Sequence, residues 1–222
     1  MDKRGLYVVR HKAVHLPKIR RVSVYGRVNA RIVAASLSAS FFFTMAVLAL
    51  AVFAPAAQAQ DRVCRGTIGA TTVDNLRVPQ RASCTLNGTR VEGNVEVKRN
   101  ARLTANGIRV EGNVQSEGFK NIVVRRASVV DGNVQLENGL RNGSGRVLNT
   151  RINGDLQFFS NKARMSAHAN TILANFQANQ NTGGLVIKNN RIAENLQCQS
   201  NNPRPTGGGN RAGDKEGQCA RL

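Results

Sequence analysis

Tryptophan is absent, and both tyrosines, Tyr7 and Tyr25, precede position 60. Beyond that point the only aromatic residues are Phe119, Phe158, Phe159 and Phe176. Proteins that hold single-stranded nucleic acid stack bases on exposed aromatic rings. Four phenylalanines make a poor platform for that, so nucleic acid is not an expected partner. Histidine is as scarce: only His168 lies beyond position 60, and no Cys-x-x-Cys occurs. That leaves no ligand set for zinc, and no cofactor is expected. Acidic residues are few and scattered. Calcium-assisted elimination needs clustered Asp and Glu, and glycoside hydrolysis needs two carboxylates close together. Only Glu92, Glu111 and Asp131 recur from repeat to repeat, and arginines flank them. His168 has no evident serine and aspartate partners. Catalysis is therefore not expected.

One long apolar stretch is present, and it lies near the start. Nine basic residues precede position 32; an uncharged, mostly apolar segment, 32–54, follows and leads to Ala57-Gln58-Ala59. A basic region, an apolar region and a small-x-small site make an export signal. Residues 1–59 are expected to be a cleaved signal peptide and 60–222 the mature domain. The stretch is also long enough for a membrane anchor, but the cleavage pattern and the cysteines beyond it favour removal, with no membrane contact afterwards. Nine of the 32 basic residues and one of the 13 acidic ones belong to this leader, so residues 60–222 carry +11 rather than +19. Such a charge attracts anionic polymers.

What fills the rest is a repeat. Val91-Glu92-Gly93-Asn94-Val95 returns as Val110-Glu111-Gly112-Asn113-Val114, Val130-Asp131-Gly132-Asn133-Val134 and Ile152-Asn153-Gly154-Asp155-Leu156. Two worn copies follow, centred on Ala174 and Glu194, and the steps are 19, 20, 22, 20 and 20 residues. An earlier copy begins at Asn75. Units this short, rich in Val, Ile, Asn and Gly, favour strands and turns over helices. Alternation inside a unit agrees. In Val95-Glu96-Val97 the valines face inward and Glu96 outward, and the pattern recurs through Leu196-Gln197-Cys198. A second segment repeats it at Leu103-Thr104-Ala105 and Leu185-Val186-Ile187. The fold class expected is all-β, a right-handed parallel β-helix of about seven coils of about 20 residues. Residues 60–74 read as an N-terminal cap, 75–198 as repeats and 199–222 as a C-terminal cap. Residues 140–145 are expected to bulge from the least regular coil.

The four cysteines, Cys64, Cys84, Cys198 and Cys219, follow the leader, and an even count behind an export signal reads as two disulfides. Cys64 and Cys84 are 20 residues apart and Cys198 and Cys219 are 21 apart, one coil each. The dipeptides Gln197-Cys198 and Gln218-Cys219 look like one position in successive coils. Adjacent coils lie within disulfide reach, whereas the other pairings join opposite ends of the rod. Cys64–Cys84 and Cys198–Cys219 are thus expected to close the two ends.

From Cys64 to Gly69 the chain reads Cys-x-Gly-Thr-Ile-Gly, and towards its end come Pro205-Thr206-Gly207-Gly208-Gly209-Asn210 and Gln218-Cys219. These segments resemble a group of small, uncharacterised secreted bacterial proteins common in actinobacteria. The resemblance spans nearly all of 64–222 and implies export and a repeat, but no activity. In architecture alone the repeat is similar to pectin-lyase-like and bactofilin-type β-helices.

Stacking puts Arg90, Arg109, Arg151 and Arg191 in one outward stripe, broken by Val129 and Thr171. Glu92, Glu111 and Asp131 run beside its first half. Stripes of glutamine (Gln115, Gln135, Gln157, Gln177, Gln197) and asparagine (Asn94, Asn113, Asn133, Asn175, Asn195) are expected to be structural amide ladders. The function expected is that of a secreted, monomeric, non-enzymatic structural or binding protein, extracellular or attached to the cell wall, with the arginines contacting an anionic polysaccharide or wall polymer. The alternatives are a polysaccharide lyase or hydrolase and a self-assembling envelope scaffold.

Overall fold

The structure, a computed structural model, describes residues 61–222. The leader and the cleavage site after Ala59 lie outside the described residues. Among these there is no helix. The chain winds as a parallel solenoid of about eight turns, each turn visiting three sheets, A, B and C, in order. Sheet A has nine strands, sheet B eight and sheet C seven, and every pairing is parallel. The count exceeds the seven expected because the end segments pair as strands too: Arg62–Val63 opens sheet A and Asp214–Gly217 closes it.

Alternation decides which side chains enter the core. Val95, Val114, Val134, Leu156, Phe176 and Leu196 stack in register on sheet A, all buried. Sheet B contributes Leu103, Ile122, Met165 and Leu185, and sheet C contributes Val91, Val110, Val130, Ile152, Ile172 and Ile192. Each apolar side chain fully withdrawn from water stabilises by roughly 1.5–3 kcal/mol, and the stack repeats that gain coil after coil. Phe158 and Phe176 meet edge to face, with ring centroids 5.4 Å apart.

Sharp corners separate the sheets. After most sheet A strands the chain turns through positive φ, directly at Gly118 (71°), Asn138 (52°), Ser160 (53°) and Gln180 (58°), and three residues past Val97 at Asn100 (58°). Asparagine and glycine tolerate this conformation best, which accounts for their abundance.

The irregular coil departs from expectation in detail. Gly143 and Gly145 of the 140–145 segment are buried, Leu140 and Ser144 are half-buried, and only Arg141 and Asn142 are exposed. Gly145 belongs to the strand Ser144–Leu148. A Cβ there would lie 2.6 Å from Met165 Cε and 3.2 Å from Phe119 Cζ. Those large side chains fill the space.

The disulfides Cys64–Cys84 and Cys198–Cys219 are formed, with Cα separations of 5.6 and 5.3 Å. Their register differs from the expected one. Cys198 stacks on Gly217, and Gln197 on Glu216. Cys219 lies two residues further on, past Gly217 at φ 62°. At the other end Arg62 pairs with Leu76, a step of 14 residues, so 20 residues is more than one coil there. Cys64 donates its N–H to Arg77 O in sheet A, whereas Cys84 pairs with Leu103 in sheet B. That bridge therefore crosses the core between sheets instead of joining one stacked position.

A candidate anion-binding side

The arginine stripe forms on sheet C. Arg90 stacks on Arg109, Arg109 on Val129, Val129 on Arg151, Arg151 on Thr171 and Thr171 on Arg191. One further bridge adds Arg211 beneath Arg191. Sequence comparison missed Arg211 because the motif around it, in a Gly- and Asn-rich segment, no longer resembles the repeat. With coils about 4.8 Å apart, the stripe from Arg90 to Arg211 spans roughly 29 Å.

Its two halves differ. Arg90 pairs with Glu111 and Arg109 with Asp131, each arginine reaching the acid of the next coil. These exposed pairs stabilise by well under about 1 kcal/mol, but they neutralise the stripe locally. Arg151 Nε donates to Asn153 Oδ1, and Asn153 is held by Asp131. Among the described residues, Arg191 and Arg211 make no ion pair at all.

The winding also sorts charge between sides. Every Asp and Glu among the described residues lies on sheet A, on the approach to it, or in the corner between sheets C and A. Sheet B and the corners flanking it carry none. Sheet B itself holds Arg102, Arg125, Arg146, Arg164 and Lys188, all outward-facing. His168 is exposed beside Lys188, its Nε2 3.5 Å from Asn189 Nδ2. One side of the prism is thus cationic from the A–B corner round to sheet C.

An open groove of about 790 Å³ lies over sheet A. Three carboxylates, Glu96, Glu117 and Glu137, line it with three cations, Lys98, Arg99 and Lys162, and with Gln115 and Gln135. Glu117 stacks directly on Glu137. This is a second acidic group that recurs across coils, which reading the repeat motif alone overlooked. Glu96 is paired with Lys98. Among the described residues no cluster of His, Cys, Asp and Glu is arranged to hold a metal ion.

The amide stripes form hydrogen-bonded ladders. Gln115 donates to Gln135, Gln135 to Gln157, Gln157 to Gln177 and Gln177 to Gln197, and Gln197 ends the series on Glu216. Asn94, Asn113 and Asn133 each use Oδ1 to accept a backbone N–H from the following coil. These residues are committed to the fold.

Compared with protein-family models, curated proteins and solved structures, the chain matches none.

Proposed function

We propose that this is a secreted bacterial protein of the cell exterior that binds an anionic polysaccharide or wall polymer without transforming it. The observation that carries this reading is the one-sided charge: a cationic side with no carboxylate on sheet B or its corners. Stacked coils present guanidinium groups at a regular rise, as a polymer with repeating anionic groups requires. Both disulfides suit an oxidising compartment. The resemblance to small secreted actinobacterial proteins supports the same location.

Sedimentation with purified anionic wall polymer tests it. The purified, disulfide-bonded protein should co-sediment at low salt and be released as salt rises. Arg151→Gln/Arg191→Gln/Arg211→Gln should lose most retention, whereas Arg90→Gln/Arg109→Gln, which removes neutralised arginines, should retain it. No sedimentation even at low salt overturns the proposal.

Glu117 and Glu137 favour one other reading, hydrolysis of a bound glycan in the groove over sheet A. Assaying the same incubations for new reducing ends separates the two, and we expect none.

A further inference from the structure

The irregular coil borders a second hollow. Asn121 to Ser144 is a step of 23 residues where most stacked pairs are about 20 apart. The additional length places Arg141 and Asn142 as an exposed turn at the A–B corner. Beside it lies an open pocket of about 550 Å³. Arg141, Lys162 and Arg164 line it, one cation from the turn and two from the coil that follows. No carboxylate lines it, and among the described residues none of the three cations forms an ion pair.

Neutral hydrogen-bonding groups complete the lining. Asn121 Oδ1 accepts from Ser144 N at 3.1 Å and from Ser144 Oγ at 3.2 Å. The backbone donor fixes the amide's orientation. Among the described residues the Nδ2 donors of Asn121 have no partner. Asn142 and Thr182 are exposed at the rim. Gly143 and Gly183 also line the pocket and keep it free of side chains; at either one a Cβ would lie 2.2 Å from a backbone oxygen, of Lys120 or of Ala163.

We propose that this pocket binds a phosphorylated sugar unit. Three unpaired cations around one space fit a ligand carrying more than a single negative charge. A phosphate monoester carries about −1.5 to −2 near neutral pH and offers three acceptor oxygens. Two guanidinium forks and an ammonium match it better than a lone carboxylate. The volume falls in the range of small-molecule sites, about 300–1,000 Å³, and exceeds what a bare oxyanion fills. Asn121, Asn142 and Thr182 are the groups to meet sugar hydroxyls. The inference rests on the anionic-polymer reading and sharpens it: it names the repeating unit and a place for it apart from the sheet C stripe.

The test is amide chemical-shift titration of the purified, disulfide-bonded protein with a hexose 6-phosphate, the unphosphorylated hexose, a hexuronate and inorganic phosphate. Hexose phosphate should shift amides of 121, 141–144, 162–164 and 182–183 saturably, with inorganic phosphate weaker and the neutral hexose silent. Lys162→Gln/Arg164→Gln, exposed changes whose folding the unshifted core amides verify, should weaken binding by about tenfold or more. Arg151→Gln/Arg191→Gln/Arg211→Gln should change it by less than about twofold. Equal affinity for the neutral hexose or the hexuronate overturns the proposal, as does hexose-phosphate binding that survives Lys162→Gln/Arg164→Gln. Pocket binding without any polymer sedimentation sinks the polymer reading alone. Sedimentation through the stripe with no pocket shifts sinks this inference alone.

Discussion

Asn190 is 1% exposed, yet every polar atom of its side chain has a partner. Nδ2 donates to Ala167 O at 3.0 Å and to Asn210 Oδ1 at 2.9 Å. Oδ1 accepts from Asn170 N at 3.1 Å and from Asn170 Nδ2 at 2.9 Å. Asn170, Asn190 and Asn210 thus form a buried ladder at the B–C corner, where inward-turned carbonyls need donors that water cannot supply. Asn161, Asn181 and Asn201 form its counterpart at the A–B corner, and Gln218 Oε1 caps that one by accepting from Asn201 N and Nδ2. In the earlier coils Thr89, Ser128 and Thr150 are buried at the B–C corner instead. The exposed amide stripes were legible in sequence because they flank the strand motif. The buried ones recur every 20 residues just as plainly, but polar residues in corners read as solvated turns, and periodicity alone does not say which way a turn residue points. Energetics separate the two kinds. An orphaned buried polar group costs roughly 1–3 kcal/mol, and Asn190→Ala orphans Asn170 N and takes one partner each from Ala167 O, Asn170 Nδ2 and Asn210 Oδ1. It should lower unfolding free energy by about 3 kcal/mol or more in urea denaturation. Gln157→Ala, in the outer ladder, should cost less than about 1 kcal/mol. Equal losses would show that the buried ladder is no more structural than the outer one.

At the scale of the coil, strand order and register followed from the motif, since a parallel stack forces like residues above like. Departures came where a residue's environment, not its type, set the path. The 140–145 segment reads as a protruding polar loop, yet Gly143 is buried and the chain returns at once to the strand Ser144–Leu148. The close return is possible because Gly143 N donates to Leu140 O at 2.9 Å while Ser144 N donates to Lys120 O at 3.0 Å. Backbone crowding of this kind has no signature beyond the glycine. The cysteine pairing was legible for the same topological reason, since only neighbouring coils are within reach. Its register was not, because the end coils are shorter or turned differently from the repeats. Gly143→Ala puts a methyl into the Lys120 carbonyl. It should destabilise by about 2–4 kcal/mol and abolish the pocket shifts with hexose phosphate. Asn142→Gly, at φ 63°, should leave stability within about 0.5 kcal/mol or raise it slightly. Thermal or urea unfolding of the two variants decides; a stable Gly143→Ala protein would mean that the turn can relax away from Lys120.

Over the whole molecule, net charge was legible but its sidedness was not. Summing residues gives +11 for 60–222. Only winding shows that the acids share one sheet and one corner, because neighbours in space lie about 20 residues apart and the sum averages over them. Among the described residues, the same winding leaves two ends of strand edges without a partner, and such edges invite end-to-end pairing. The first end presents strands of only two residues, Arg62–Val63, Thr67–Ile68 and Thr72–Val73. Edges that short offer few hydrogen bonds to a second copy. The last end presents Asp214–Gly217, where Asp214, Lys215 and Glu216 replace the apolar alternation of the strands above, and Lys215 Nζ donates to Leu222 O. A second copy docking there would have to desolvate those charges, so the edge is protected by cost and not by cover. The scaffold alternative requires this edge to pair, and it predicts growing oligomers as concentration rises. Light scattering coupled to size exclusion should instead give one mass, that of a monomer, across a wide concentration range. Asp214→Val/Glu216→Val, which removes both carboxylates from the outward positions of the terminal strand, should convert the protein to concentration-dependent assemblies. If the unaltered protein assembles and the variant does so no faster, the charges at this end do not govern association.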